Sequence, residues 1–395
     1  MAKKIKVLML LDNEFPYDVR VEKMLMSMKE HSISVDLLNC TKTGKKSYEN
    51  YKGIDIYRWQ LSKLMYKFSV PSIILPFYFN KWNKEVDKRF SETKYDIIYI
   101  NDLPLSSVGY RAKQKYGCKL VNDQHEYYSN WINHTAHYNK GVGKIIKALS
   151  SWSAYEKNYL SKSDLLVTVS SKLRELYIKN INLSENKIIS IPNTPNKKIL
   201  SYPKELPSLD KFKENYIIFY VGGIDILRGT DVAINAMPDI IKKIPNAKLV
   251  IAGPINKNYD FHGVINNAKM NNYVDYLGSL SQVELASYIE RANICFFVPP
   301  PLSEEINNTI VTKIYQYAAQ KKPIIISEVK MMRDFVVNNG LGLSISNNSS
   351  LQFAENVFKI YTGEFKVNES ATLNDIFWED TVSPIIEWYL QQQEQ

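Results

Sequence analysis

Short runs of aliphatic and β-branched residues alternate with helix-length amphipathic segments from one end of this chain to the other. That alternation is the signature of parallel sheets covered by helices, and it restricts the chain to an α/β architecture. Strands are predicted at Lys6–Leu11, Ser34–Asn39, Asp55–Trp59, Asp96–Ile100, Lys119–Asp123, Leu165–Val169 and Ile188–Ile191. A second group is predicted at Ile217–Val221, Ala247–Ala252, Tyr273–Leu277, Ile294–Val298 and Pro323–Ser327. Between the groups, residues 191–203 carry turn chemistry and little that packs as a helix. The expected organisation is two Rossmann-like, doubly wound domains over 1–195 and 196–375, with ligands bound in a cleft at the carboxyl ends of the strands. The closing segment 376–395 reads as a helix able to pack back on the first domain.

A length of 395 residues suits two domains of ordinary size. The net charge of +9 admits an anionic lipid surface as a partner, or a simple excess of lysine, but no tight basic block marks a nucleic-acid site. Cys40, Cys118 and Cys295 are far apart, each in or beside an apolar run, and read as buried free thiols of a reducing compartment. The apolar run Val7 to Leu11 stops at Asp12-Asn13-Glu14, too short for a secretion signal. The most hydrophobic window, Phe68 to Phe79, contains Pro71 and Pro76 and is too short to span a bilayer. A cytoplasmic protein is expected, with a peripheral position on the inner face of the membrane as an extension of that reading.

The second half carries the densest chemistry. Tyr220-Val221-Gly222-Gly223 ends a strand in two glycines, which lets a ligand approach the backbone. Arg228-Gly229-Thr230 then opens a helix whose first amides favour phosphate. Gly253-Pro254 and Gly278-Ser279-Leu280 form two further strand exits able to read a nucleotide base through backbone groups. After Pro299-Pro300-Pro301 come Glu304-Glu305-Ile306-Asn307-Asn308-Thr309 and a helix through Gln320, which Asn308 or Thr309 is expected to cap. Lys313 and Gln316 lie one turn apart on that helix.

In the first half, Phe15-Pro16-Tyr17-Asp18-Val19-Arg20-Val21 follows the opening strand. Asn101-Asp102 and Asp123-Gln124-His125-Glu126 end two others in polar residues. Asp18 is a helix cap or an acceptor contact, and Arg20 a surface charge or an acceptor contact. The basic amphipathic stretches Trp59 to Trp82 and Lys140 to Lys157 are either helices packed on a sheet or a surface for an anionic bilayer.

Together these pieces resemble the retaining GT-B glycosyltransferases of family 4, the group 1 type. The resemblance implies a donor site for a nucleotide diphosphate sugar at Gly222, Gly223, Arg228, Gly229, Gly253, Pro254, Ser279, Leu280, Glu305, Asn307, Asn308, Thr309, Lys313 and Gln316. It implies acceptor contacts from Asp18, Arg20, Asn101, Asp102 and Glu126, and makes His125, Arg228 and Lys313 the expected catalytic set. Asp123-Gln124-His125-Glu126 is similar to the family's Asp-x-His-Glu element. Three positions depart from the family pattern: Gly223 stands where a cation is usual, and Asn308 and Gln316 stand at two Glu positions. Lys313 is then the candidate replacement cation. The implied function is transfer of a sugar from a UDP- or GDP-sugar to a glycan or lipid-linked glycan of a bacterial surface polysaccharide, with retention. No Asp-x-Asp metal motif occurs, so neither metal nor cofactor is expected. The alternatives are a non-catalytic relative that binds a nucleotide sugar or glycan, and a sugar-nucleotide epimerase.

Overall fold

The computed structural model describes residues 4–69, 71–134, 151–300 and 309–393. The chain forms two units, one of Met1–Pro192 with Val382–Gln395 and one of Asn193–Thr381.

The first unit holds an eight-stranded sheet in the order β3-β4-β2-β1-β5-β6-β7-β8. Its strands are β1 (Lys6–Leu11), β2 (Ser34–Thr41), β3 (Tyr48–Tyr51), β4 (Ile54–Gln60), β5 (Ile97–Asn101), β6 (Lys119–Gln124), β7 (Leu165–Thr168) and β8 (Ile188–Ser190). Leu8 pairs in register with Asp36 of β2 and Ile98 of β5, both parallel. Central strands such as β5 are buried along their whole length, which is why they read as continuous apolar runs. Strand β3 was not predicted. It is an antiparallel edge strand whose polar residues, Tyr-Glu-Asn-Tyr, carry no apolar pattern. Lys52 and Gly53, at φ 51° and 81°, make the tight turn that returns it to β4.

The second unit holds a six-stranded, wholly parallel sheet in the order β11-β10-β9-β12-β13-β14. These strands are β9 (Tyr216–Val221), β10 (Ala247–Ala252), β11 (Val274–Tyr276), β12 (Ile294–Phe297), β13 (Ile324–Ser327) and β14 (Gly342–Ile345). The unpredicted β14 begins at Gly342, where a Cβ would come within 1.8 Å of the Ile324 carbonyl oxygen. Only glycine lets the chain approach β13 that closely.

The segment after 375 forms two helices, Trp378–Thr381 and Ser383–Gln393, instead of one. The first lies in the second unit, where the Trp378 amide donates to the Pro195 carbonyl at 2.8 Å. The second lies in the first unit and buries Ile385, Ile386 and Tyr389. All three cysteines are buried and free. Among the described residues, no helix is long and apolar enough to cross a membrane.

Candidate functional site

In the second unit, the exits of β9, β10 and β11 are joined by backbone hydrogen bonds. The Gly222 amide donates to the Ala252 carbonyl at 2.9 Å, and the Gly253 amide to the Gly278 carbonyl at 2.7 Å. Gly222 and Gly253 take φ of 137° and 128°, and a Cβ on Gly253 would meet the Gly222 oxygen at 2.0 Å. The three turns thus form one fixed platform at the carboxyl edge of the sheet. Pro254 and Ser279 are exposed on it, and Leu280 is half-buried. Gly229, at φ 73°, would carry its Cβ 1.9 Å from the Val298 carbonyl oxygen. The turn that launches the Thr230–Lys243 helix is therefore fitted against the end of β12.

Lys313 reaches the same edge from the Thr312–Ala319 helix. Its ammonium lies 4.3 Å from the centre of the Tyr220 ring, 4.4 Å from that of Phe297, and 3.3 Å from the Tyr220 hydroxyl. The Tyr220 hydroxyl in turn donates to the Gly223 carbonyl at 2.6 Å. A Cβ on Gly222 would stand 2.1 Å from the Lys313 nitrogen, so the missing side chain provides the room the ammonium occupies. Burial, with Arg228 adding to it and Asp225 opposing, pushes the Lys313 ammonium down to about 7. Arg228 is half-buried, and its Nε has no hydrogen-bond partner among the described residues. Within those residues neither cation has a carboxylate at ion-pair distance. Two cations with no carboxylate at ion-pair distance among the described residues favour an anion beside them.

The helix carrying Lys313 is not capped as expected. It starts at Thr312, its N-cap is Val311, and no side chain among the described residues bonds to its first amides. Ile310 and Val311 pack against the core, which keeps the chain extended past Thr309 and moves the helix start three residues on. Thr309 is half-buried and Gln316 is 7% exposed. Glu305, Asn307 and Asn308 lie outside the described residues. Sequence reasoning missed Tyr220 and Tyr317; the latter accepts the Val221 amide at 3.2 Å and ties this helix to the exit of β9. The spacing of Lys313 and Tyr317, one helical turn apart, was the available signal.

In the first unit, Asp18 is the N-cap of the Val19–Glu30 helix and accepts from the amides of Arg20 and Val21. Arg20 is 5% exposed and forms a two-pronged pair with Asp123, Nε to Oδ2 at 3.0 Å and Nη2 to Oδ1 at 2.8 Å. Its Nη1 donates to the Ile191 carbonyl at 2.8 Å. Asn101 is also buried, its amide donating to the Leu10 carbonyl at 2.8 Å. Asp123 accepts the Tyr99 hydroxyl at 2.6 Å and lies 3.6 Å from His125 Nε2. On its other side, His125 Nδ1 lies 3.3 Å from Asp102. Burial alone would raise the Asp123 carboxyl, but Arg20 and His125 hold it well below the usual carboxylate range. Burial alone would depress His125, yet Asp102 and Asp123 lift it to about 9. Asp102 takes φ 63° and ψ 161°, a conformation costing a residue other than glycine about 1–3 kcal/mol. Glu126, half-buried, follows His125, and its carbonyl accepts from Tyr177 at 3.4 Å. No three His, Cys, Asp or Glu side chains among the described residues are placed to hold a metal ion.

Residues 201–374 match the family described as glycosyl transferases group 1, and residues 19–195 match glycosyltransferase family 4. The chain belongs to the group 1, family 4 type of GT-B glycosyltransferases. Solved structures similar to this glycosyltransferase share its fold at low identity. Sucrose-phosphate synthase from Thermosynechococcus elongatus has a TM-score of 0.74 at 15% identity, over 98% of this chain and 99% of that one. A glycosyltransferase from Rickettsia africae gives 0.73 at 15%, covering 98% of each chain. HepE from Anabaena, in complex with UDP-glucose, gives 0.67 at 15%, covering 98% of this chain and 100% of that one. No curated protein sequence matches this glycosyltransferase significantly.

Proposed function

We propose that this glycosyltransferase moves a hexose-type sugar from a UDP- or GDP-sugar to a glycan or lipid-linked glycan of a bacterial surface polysaccharide, with retention of anomeric configuration. The observation that carries this reading is the pair of cations at the exit of β9, Lys313 caged by two rings and Arg228 with an Nε that has no partner among the described residues. A diphosphate supplies a counter-charge that no carboxylate among the described residues provides at ion-pair distance. In the retaining reaction the bond from the sugar's anomeric carbon to the phosphate oxygen breaks, and the acceptor hydroxyl adds to the same face. The hydroxyl's proton passes to the departing phosphate oxygen. Arg228 and Lys313 hold the charge that grows on that oxygen, the task a divalent cation performs in other transferases. Glycine turns at β9, β10 and β11 seat the nucleotide through backbone groups. The cationic His125 imidazole donates to a sugar hydroxyl, oriented by Asp102 and Asp123, and contributes by positioning.

Titration calorimetry with UDP, GDP and ADP, with donor hydrolysis over a panel of nucleotide sugars, tests the proposal. Arg228→Ala and Lys313→Ala are each expected to weaken diphosphate binding at least ten-fold. Unchanged binding in both variants would remove this site from the mechanism. A second reading, a binding protein without turnover, draws on Gln316, a buried neutral amide at a position where the family has a carboxylate. Donor binding with no hydrolysis or transfer would favour it.

A further inference from the structure

Between Asp55 and Glu85 the sequence has no acidic residue, while Arg58, Lys63, Lys67, Lys81 and Lys84 are all basic. Within this stretch the Lys63–Ser69 helix buries no residue at all. Leu64 is 65% exposed, Tyr66 45%, Leu75 42% and Phe77 55%. The segment is nonetheless anchored: Met65, Phe68 and Ile73 pack against the core of the first unit, and the Phe68 and Phe77 rings meet at 5.3 Å. One side of the segment is thus fixed in the protein, while the other presents apolar side chains flanked by Lys63 and Lys67, both exposed. The surface continues to the ends of β1 and β2, where Lys42 lies 4.0 Å from the Tyr66 ring and Lys45 lies 4.3 Å from the ring of the exposed Tyr17.

We propose that this face, Leu64, Tyr66, Leu75 and Phe77 with Lys63 and Lys67, seats the first unit on an anionic lipid bilayer. The charge pattern selects that occupant. Lysines at headgroup level attract anionic phosphate, tyrosine suits the interface, and the apolar side chains enter the acyl boundary. The patch reaches the carboxyl end of the sheet, the end on which Asp102 and His125 stand, so a lipid-linked acceptor in the membrane lies within reach of that edge. The inference rests on the reading of the acceptor as lipid-linked, but its test is independent of transfer.

The full chain is mixed with phosphatidylcholine vesicles, with and without phosphatidylglycerol, and bound protein is measured by flotation. Binding is expected only with phosphatidylglycerol and is expected to fall as salt rises. Lys63→Glu with Lys67→Glu is expected to weaken it by at least about 25-fold, at roughly five-fold per lysine. Leu64→Gln with Phe77→Gln is expected to weaken it at low and high salt alike. UDP binding, measured alongside, should stay at the wild-type level and shows that the variants are folded. Wild-type protein that ignores anionic vesicles, or variants that bind them as well as wild type does, would overturn the proposal. A dimer by light scattering that the Leu64→Gln, Phe77→Gln variant abolishes would assign the face to a second copy instead. Loss of UDP binding in the wild type would count against the transferase reading alone.

Discussion

Arg20 and Asp123, 103 positions apart in sequence, close a buried two-pronged ion pair at the carboxyl end of β6. Removing Arg20 leaves the Asp123 carboxylate buried without its two-pronged partner, with Tyr99 and His125 still beside it. Arg20→Met is therefore expected to cost about 3–5 kcal/mol in urea unfolding, and Arg20→Met with Asp123→Leu less than that. The folded-state Asp123 carboxyl is depressed, so its contribution is present above about pH 4 and is lost as pH falls through the folded value. The stability gap between wild type and Arg20→Met should narrow in acid; a constant gap would place the effect in packing.

His125 titrates the other way. Its folded value of about 9 lies above the ordinary imidazole value of about 6.5. Its stabilising contribution is complete below about pH 6.5 and is lost as pH rises through 9. Thermal unfolding of wild type and His125→Asn should differ most at pH 6 and converge by pH 10. An NMR titration of the His125 ring with a midpoint near 6.5 would contradict the geometry around Asp102 and Asp123.

Lys313 has the opposite sign again. With its folded value lowered to about 7, the charged form is disfavoured in the fold, and this cost is full below pH 7 and relieved between 7 and 10.5. Lys313→Met is expected to stabilise the unliganded protein at pH 6 and to lose that advantage as pH rises. Binding of UDP at pH 8 should take up close to one proton, visible in calorimetry across buffers of different ionisation enthalpy. Lys313→Met should abolish the uptake.

The glycine platform separates two kinds of glycine. Gly253→Ala places a Cβ 2.0 Å from backbone oxygen at φ 128°, and Gly222→Ala places one on the Lys313 ammonium. Gly223→Ala meets nothing within 4 Å among the described residues, at an ordinary φ. Gly253→Ala should lower stability by more than about 2 kcal/mol, beyond the cost of the backbone conformation alone. Gly222→Ala should weaken UDP binding, and Gly223→Ala should leave both stability and binding close to wild type.

The sheets were legible because buried parallel strands are written as apolar runs, as in Ile97–Asn101 and Ile324–Ser327. Two of the four edge strands are not written that way: β3 is polar and β14 alternates, and both escaped. Among the candidate site residues, Arg228 was picked out by its place beside a glycine turn, and Lys313 by its place on a helix one turn from Gln316. The work done by Arg20 and Asn101 could not, since both are spent on buried partners contributed by distant strands. Nor could the helix start at Thr312, which depends on Ile310 and Val311 finding the core.

Tyr389, from the last helix, is fully buried in the first unit, its hydroxyl close enough to Asp123 to sense that charge. A strand-rich unit whose first strand is Lys6–Leu11 therefore waits for its final side chains until the entire second unit has been translated. During synthesis, the second unit is the first to have all its sequence available as one continuous piece. Until the last helix has left the ribosome, the first unit stays open at the place where Tyr389 is buried.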